Sequence, residues 1–145
     1  MSTFDCILFP TDGSKQSKRT LESLIELAKQ FKSKVFVLNT FEVPVPITNY
    51  EFSSDLYLSV EAVLSKNSKD VLDEVKESLE KEGIYAKYIS LAGDSSSIII
   101  EKSKELEITM ILMGSRGLGT IKSLMMGSVS NYVLHHSSCP VMIIH

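Results

Sequence analysis

Two hydrophobic rhythms alternate along the chain. Short apolar, β-prone runs at 4–9, 34–41, 84–91, 108–113 and 140–144 predict five strands. Between the first two, Leu21, Leu24, Ile25, Leu27, Ala28 and Phe31 recur at helical spacing with Lys and Glu among them. A longer stripe, Val60, Val63, Leu64, Val71, Leu72, Val75 and Leu79, predicts a second helix, capped by Ser53-Ser54-Asp55 and ended by Gly83. Gly93-Asp94-Ser95 turns into a third helix through Ile98, Ile99 and Leu106, and 124–136 reads as a fourth.

Strand, helix, strand repeated in this way implies parallel pairing through right-handed crossovers. Runs so uniformly apolar are buried on both faces, which predicts an open five-stranded parallel sheet with helices on each side. No repeat or linker interrupts the alternation, so 1–145 reads as a single domain. In such sheets ligands bind beyond the carboxyl ends of the strands, where strand order reverses. The first strand runs into Pro10-Thr11-Asp12-Gly13-Ser14, with Ser14 placed to cap the helix that follows. The pattern breaks only from 42 to 54, where Pro44, Pro46 and Asn49 forbid regular helix. Tyr50 and Phe52 there belong either to a surface connection or to a flap beside a ligand.

Composition narrows the class. The 145 residues are 43% hydrophobic and 23% charged, the balance of a globular domain with a proper core. A net charge of -3 argues against a nucleic-acid binder held by bulk electrostatics. The apolar runs are too short to span a bilayer, and Met1-Ser-Thr-Phe-Asp-Cys6 has neither the basic nor the apolar region of a secretory signal. Cys6 and Cys139 sit in strand-like contexts and read as free thiols of a reducing, cytoplasmic protein, with no zinc spacing.

Chemistry concentrates after the fourth apolar run. Met113-Gly114-Ser115-Arg116-Gly117-Leu118-Gly119 ends the run in a glycine-rich turn, and Gly127-Ser128-Val129-Ser130 opens a helical pattern. Glycines admit an anion to backbone N–H groups, and a helix N-terminus offers unpaired donors at its positive end. A Walker A loop needs lysine directly after its last glycine, but Thr120 stands there and Lys122 comes too late. A dinucleotide fingerprint needs its glycines after the first strand and in another order. Gly114, two residues, Gly117, nine residues, Gly127 and Ser128 fit neither.

That spacing, together with Pro10–Ser14, Gly93-Asp94 and Cys139-Pro140-Val141, resembles the ATP-binding branch of the universal stress protein family over essentially the whole chain. The resemblance implies a Rossmann-like sheet of order 3-2-1-4-5 and a small homodimer joined through the last strand, Val141–Ile144. The implied function is that of a nucleotide-dependent stress-response switch, acting on an unknown protein partner, with little or no hydrolysis. It assigns Asp12 to adenine and ribose, with Pro10 and Thr11 in the same nucleotide site, Thr40 to adenine, Met113 to nucleoside packing, and the segment of Gly114 and Gly117 to ribose and phosphates. By its own geometry Arg116 would neutralise phosphate. The backbone and hydroxyls of Gly127, Ser128, Val129 and Ser130 would cradle the phosphates of ATP, AMP or ADP, with Mg²⁺ riding on them and Asp12 near it.

Other readings of the same residues stand beside these. Asp12 can cap the first helix, Arg116 can be a plain loop charge, and Met125 and Met126 read as core or interface filler. His135-His136 ends the fourth helix, away from the expected phosphates, and no general base accompanies them. An interaction module without nucleotide and a slow nucleotide hydrolase are the two competing functions.

Overall fold

The computed structural model describes residues 2–44, 54–115 and 126–145. Five parallel strands, β1 (Cys6–Pro10), β2 (Lys34–Phe41), β3 (Lys87–Ala92), β4 (Met110–Gly114) and β5 (Val141–Ile144), lie in the order β3-β2-β1-β4-β5. The helices are α1 (Lys15–Phe31), α2 (Ser54–Lys81), α3 (Ser95–Glu105) and α4 (Ser128–His136). This is the expected architecture, with the reversal of strand order between β1 and β4.

Strand side chains alternate between two cores. Ile7, Phe9, Val37 and Leu112 meet Leu21 and Leu24 of α1 and Leu72, Val75 and Leu79 of α2. Cys6, Leu8, Leu38, Ile111 and Met113 meet Ile99 of α3 and Val133 of α4 on the opposite face. Cys6 and Cys139 are free; burial pushes the Cys6 thiol up, against a lowering by Lys34.

Several element limits differ from those the pattern predicts, each for a tertiary reason. The first strand starts at Cys6, because Ser2 and Asp5 close a turn and Phe4 stacks on Phe31 at 4.4 Å. The third starts at Lys87, because the Ile84 N–H still closes the end of α2 by donating to Leu79 O at 3.0 Å. The fourth starts at Met110, because the Ile108 N–H is taken by Ser103 O at 2.9 Å. The fifth starts one residue after Pro140.

The last helix begins at Ser128 rather than 124, because Gly127 has extended backbone (φ -66°, ψ 160°); residues 124 and 125 lie outside the described residues. The longest difference is in α2. Its expected stripe is buried only at Leu72, Val75 and Leu79, joined by Ser68, while Val63 is 59% exposed. A helix of 28 residues is about 42 Å long, against about 26 Å for the eight-residue β2, so its first half outruns the sheet. The proposed flap residues Pro46, Asn49, Tyr50 and Phe52, and the capping Ser53, lie outside the described residues.

Candidate functional site

A cleft of about 290 Å³ opens at the carboxyl ends of β1, β2 and β4 and runs from the start of α3 to the start of α4. Its walls include Pro10, Thr11, Asp12, Thr40, Met113, Gly114, Gly127, Ser128, Val129 and Ser130. The sequence-predicted candidates thus meet in one place, apart from Arg116 and Gly117, which lie outside the described residues. Ser17, Leu38, Ser95 and Ile99 line the cleft as well and were not among those candidates. Ser95 carried a sequence signal, since it is the first helical residue after a Gly-Asp turn and so faces the strand ends. Ser17, one turn inside α1, has no signal separable from ordinary helix residues.

The β1–α1 turn is held by its own hydrogen bonds. Thr11 N–H donates to Leu38 O at 2.9 Å, and the buried Asn39 amide donates to Thr11 O at 2.7 Å. Gly13 takes φ 78°, the left-handed region that favours glycine, and a Cβ there would stand 3.1 Å from Val71 Cγ2, a tight contact that Val71 would have to yield to. Ser14, not Asp12, is the N-cap of α1: its side chain accepts the Ser17 N–H at 3.2 Å. Asp12 Oδ1 accepts from Ser14 N–H at 2.9 Å and from Ser17 Oγ at 3.0 Å, so Ser17 fixes the carboxylate that faces the cleft.

The opposite wall is a helix start left open. Ser14 caps α1 and Asp94 caps α3, whereas Gly127 supplies α4 with no side-chain cap. The Asn131 N–H donates to Gly127 O at 3.0 Å, which closes the first turn and leaves the N–H groups of Ser128, Val129 and Ser130 ahead of the helical ladder. Their dipole end points at the cleft, a setting that favours negative charge. The Ser130 hydroxyl itself is turned away: it is buried and donates to Gly114 O at 2.7 Å, so that residue offers the cleft its backbone rather than its hydroxyl.

Behind this wall, Ser115 O accepts the Gly127 N–H at 2.6 Å, Ser115 N–H donates to Ile144 O at 3.0 Å, and Gln16 Nε2 donates to Ser115 Oγ at 2.8 Å. The cleft is thereby tied to α1 and to the end of β5. His135 and His136 lie at the far end of α4, each ring bonded to a backbone carbonyl four residues back. Among the described residues no three His, Cys, Asp or Glu side chains gather as a metal site, and no helix is long and apolar enough to cross a membrane.

Fold and cleft together define a doubly wound α/β protein with its opening at the topological switch point. The chain belongs to the universal stress protein family, whose profile matches residues 3–145. It is 29% identical to universal stress protein YxiE of Bacillus subtilis over 147 residues, covering 97% of this chain and 99% of that one. Among solved structures it superposes on universal stress protein UspA from Lactobacillus plantarum over 100% of both chains, with a TM-score of 0.83 and 18% identity. A family protein from Arabidopsis thaliana solved with AMP bound matches with a TM-score of 0.69 and 21% identity, over 97% of this chain and 90% of that one.

Proposed function

We propose that this chain binds an adenine nucleotide, ATP, in the cleft and acts as a stress-response switch that holds its ligand rather than consuming it. The observation that carries the reading is the uncapped start of α4 facing the same cavity as Asp12 and Thr40. The AMP held by the Arabidopsis thaliana neighbour on the same fold supports an adenine nucleotide. In this reading the N–H groups of Ser128, Val129 and Ser130 take phosphate oxygens, and Arg116 and Gly117 complete that side. Met113 packs on the nucleoside, and Asp12, steadied by Ser17, receives the ribose. Mg²⁺ would ride on the phosphates and neutralise their charge, with Asp12 as the carboxylate that lines the same cleft among the described residues.

The switch works as a homodimer through β5 and hands its state to a protein partner. Its two free thiols suit the reducing cytoplasm.

The test is to identify any nucleotide released by denaturing the purified protein, and then to titrate ATP and AMP into wild type and Gly127→Val. Gly127 sits at φ -66°, a backbone that valine adopts without strain, so the variant should still fold, with its thermal midpoint lowered by the poorer N-cap residue. Its branched side chain would intrude on bound phosphate, and nucleotide affinity should fall at least about tenfold, the loss of one good hydrogen bond or more. Wild type that binds neither nucleotide would leave an interaction module as the function. Rapid turnover would make the protein a hydrolase.

A further inference from the structure

The two ends of the cleft differ in chemistry. At the α4 end stand unpaired backbone donors. At the other end Leu38 and Ile99 form apolar wall, and the hydroxyls of Thr40, at the end of β2, and Ser95, at the start of α3, are hydrogen-bonded to each other. Phosphate is unwelcome there, because the Asp94 carboxylate already accepts the Ser97 N–H at 3.0 Å and the Ser97 hydroxyl at 2.8 Å. A nucleotide in the cleft, on the reading proposed above, therefore lies with its phosphates at α4 and its base against the hydroxyl pair.

We infer that the Thr40–Ser95 pair reads the Watson–Crick edge of the purine with reversible polarity, so that the cleft takes 6-oxopurine nucleotides as well as 6-aminopurine ones. Two hydroxyls that bond to one another use one proton between them and keep one donor and one acceptor for a ligand. When Thr40 donates to Ser95, Ser95 is the outward donor and Thr40 the outward acceptor; turning both rotors exchanges the roles. Adenine presents a donor at its 6-amino group and an acceptor at N1. Hypoxanthine presents an acceptor at O6 and a donor at N1. The pair satisfies either edge with a rotation of two hydroxyl protons and no movement of heavy atoms. A reader with fixed donors, such as an amide or a backbone segment, satisfies one edge and leaves buried polar groups unmatched against the other, which is the source of strong discrimination in such sites.

The experiment is calorimetric titration of AMP, inosine monophosphate and 2′-deoxy-AMP into wild type, Thr40→Val and Ser95→Ala, with circular dichroism to confirm folding. Wild type should bind AMP and inosine monophosphate within about tenfold of each other, since each makes the same number of hydrogen bonds. Each single substitution should weaken both ligands about tenfold, and 2′-deoxy-AMP in the same proportion as AMP. Rejection of inosine monophosphate by wild type more than about a hundredfold relative to AMP would overturn reversibility, because mismatched polar groups then set the affinity. Unchanged affinities in both variants, or a 2′-deoxy-AMP affinity that ignores the substitutions, would overturn base reading by this pair. The comparison of the two ligands on wild type requires no variant to fold. Binding of neither ligand by wild type overturns the proposed function as well, whereas tight AMP binding with rejection of inosine monophosphate overturns this inference alone.

Discussion

The space a side chain would take at Gly114 belongs to helix α1. A Cβ built there would stand 3.1 Å from Gln16 Cγ, 3.3 Å from Gln16 Cδ and 3.3 Å from Thr20 Oγ1. Gly114 lends its backbone to the cleft, but its missing side chain answers to packing on the other side of the strand. Gly114→Ala should therefore destabilise the fold by about 1–2 kcal/mol in urea unfolding, the usual penalty of overpacking. Gly114→Ala combined with Gln16→Ala should recover part of that loss, because the clash and its relief share one contact. A spacing motif marks where glycine stands but not which neighbour forbids a side chain, so the role of Gln16 was not legible in the sequence. The candidates around the cleft were more legible, since Asp12 and Gly114 directly follow strand-like runs and the topology aims such residues at one crevice. Ser130 shows the limit: its hydroxyl was read as a phosphate donor, and only the fold reveals Gly114 O beside it.

At the scale of elements, the starts of α1 and α3 were legible in the sequence, whereas those of α4 and of most strands were not. Ser14 and Asp94 are caps because a side-chain oxygen there meets an N–H three residues on, a contact encoded locally. Strand starts at Lys87 and Met110 are set by bonds from Ile84 and Ile108 back into the preceding helices, which no run of apolar letters displays. The Asp94 cap makes a pH prediction. The Ser97 N–H, and after it the Ser97 hydroxyl, hold this carboxyl below the usual aspartate range. A carboxylate whose folded pKa is depressed adds stability that is present above its unfolded pKa, roughly pH 4, and lost as pH falls through the folded value. Asp94→Ala should lower the thermal midpoint at pH 7, and the gap from wild type should close as the pH is taken down through that window. A gap unchanged by acid would mean that the charge of the cap contributes nothing.

For the whole molecule, five apolar runs and four helical stretches sufficed to predict a parallel sheet covered on both faces. The order 3-2-1-4-5 came with the family resemblance, because nothing in the runs themselves ranks them as neighbours. That order leaves β5 at an edge, with all four residues Val141–Ile144 apolar and only half-buried. The N–H groups of Ile111 and Ser115 reach Pro140 O and Ile144 O, and the alternation of a parallel ladder turns the Ile143 N–H to the open side. If the proposed homodimer forms there, light scattering at micromolar concentration should give twice the chain mass for wild type. Ile143→Pro, which removes that donor, should give the mass of a single chain.

The overhang of α2 has a further consequence for how the molecule comes apart. All of the buried residues of this helix, Ser68, Leu72, Val75 and Leu79, fall in its second half, and Leu58 and Val63 in the first half are about 60% exposed. The free energy of local opening should therefore grade along one continuous helix, near that of an isolated segment at Ser54 and approaching global unfolding at Leu79. Native-state hydrogen exchange should show amide protection rising by several orders of magnitude between these ends, with the step near Ser68. Uniform protection along α2 would mean that something beyond the sheet holds its first half.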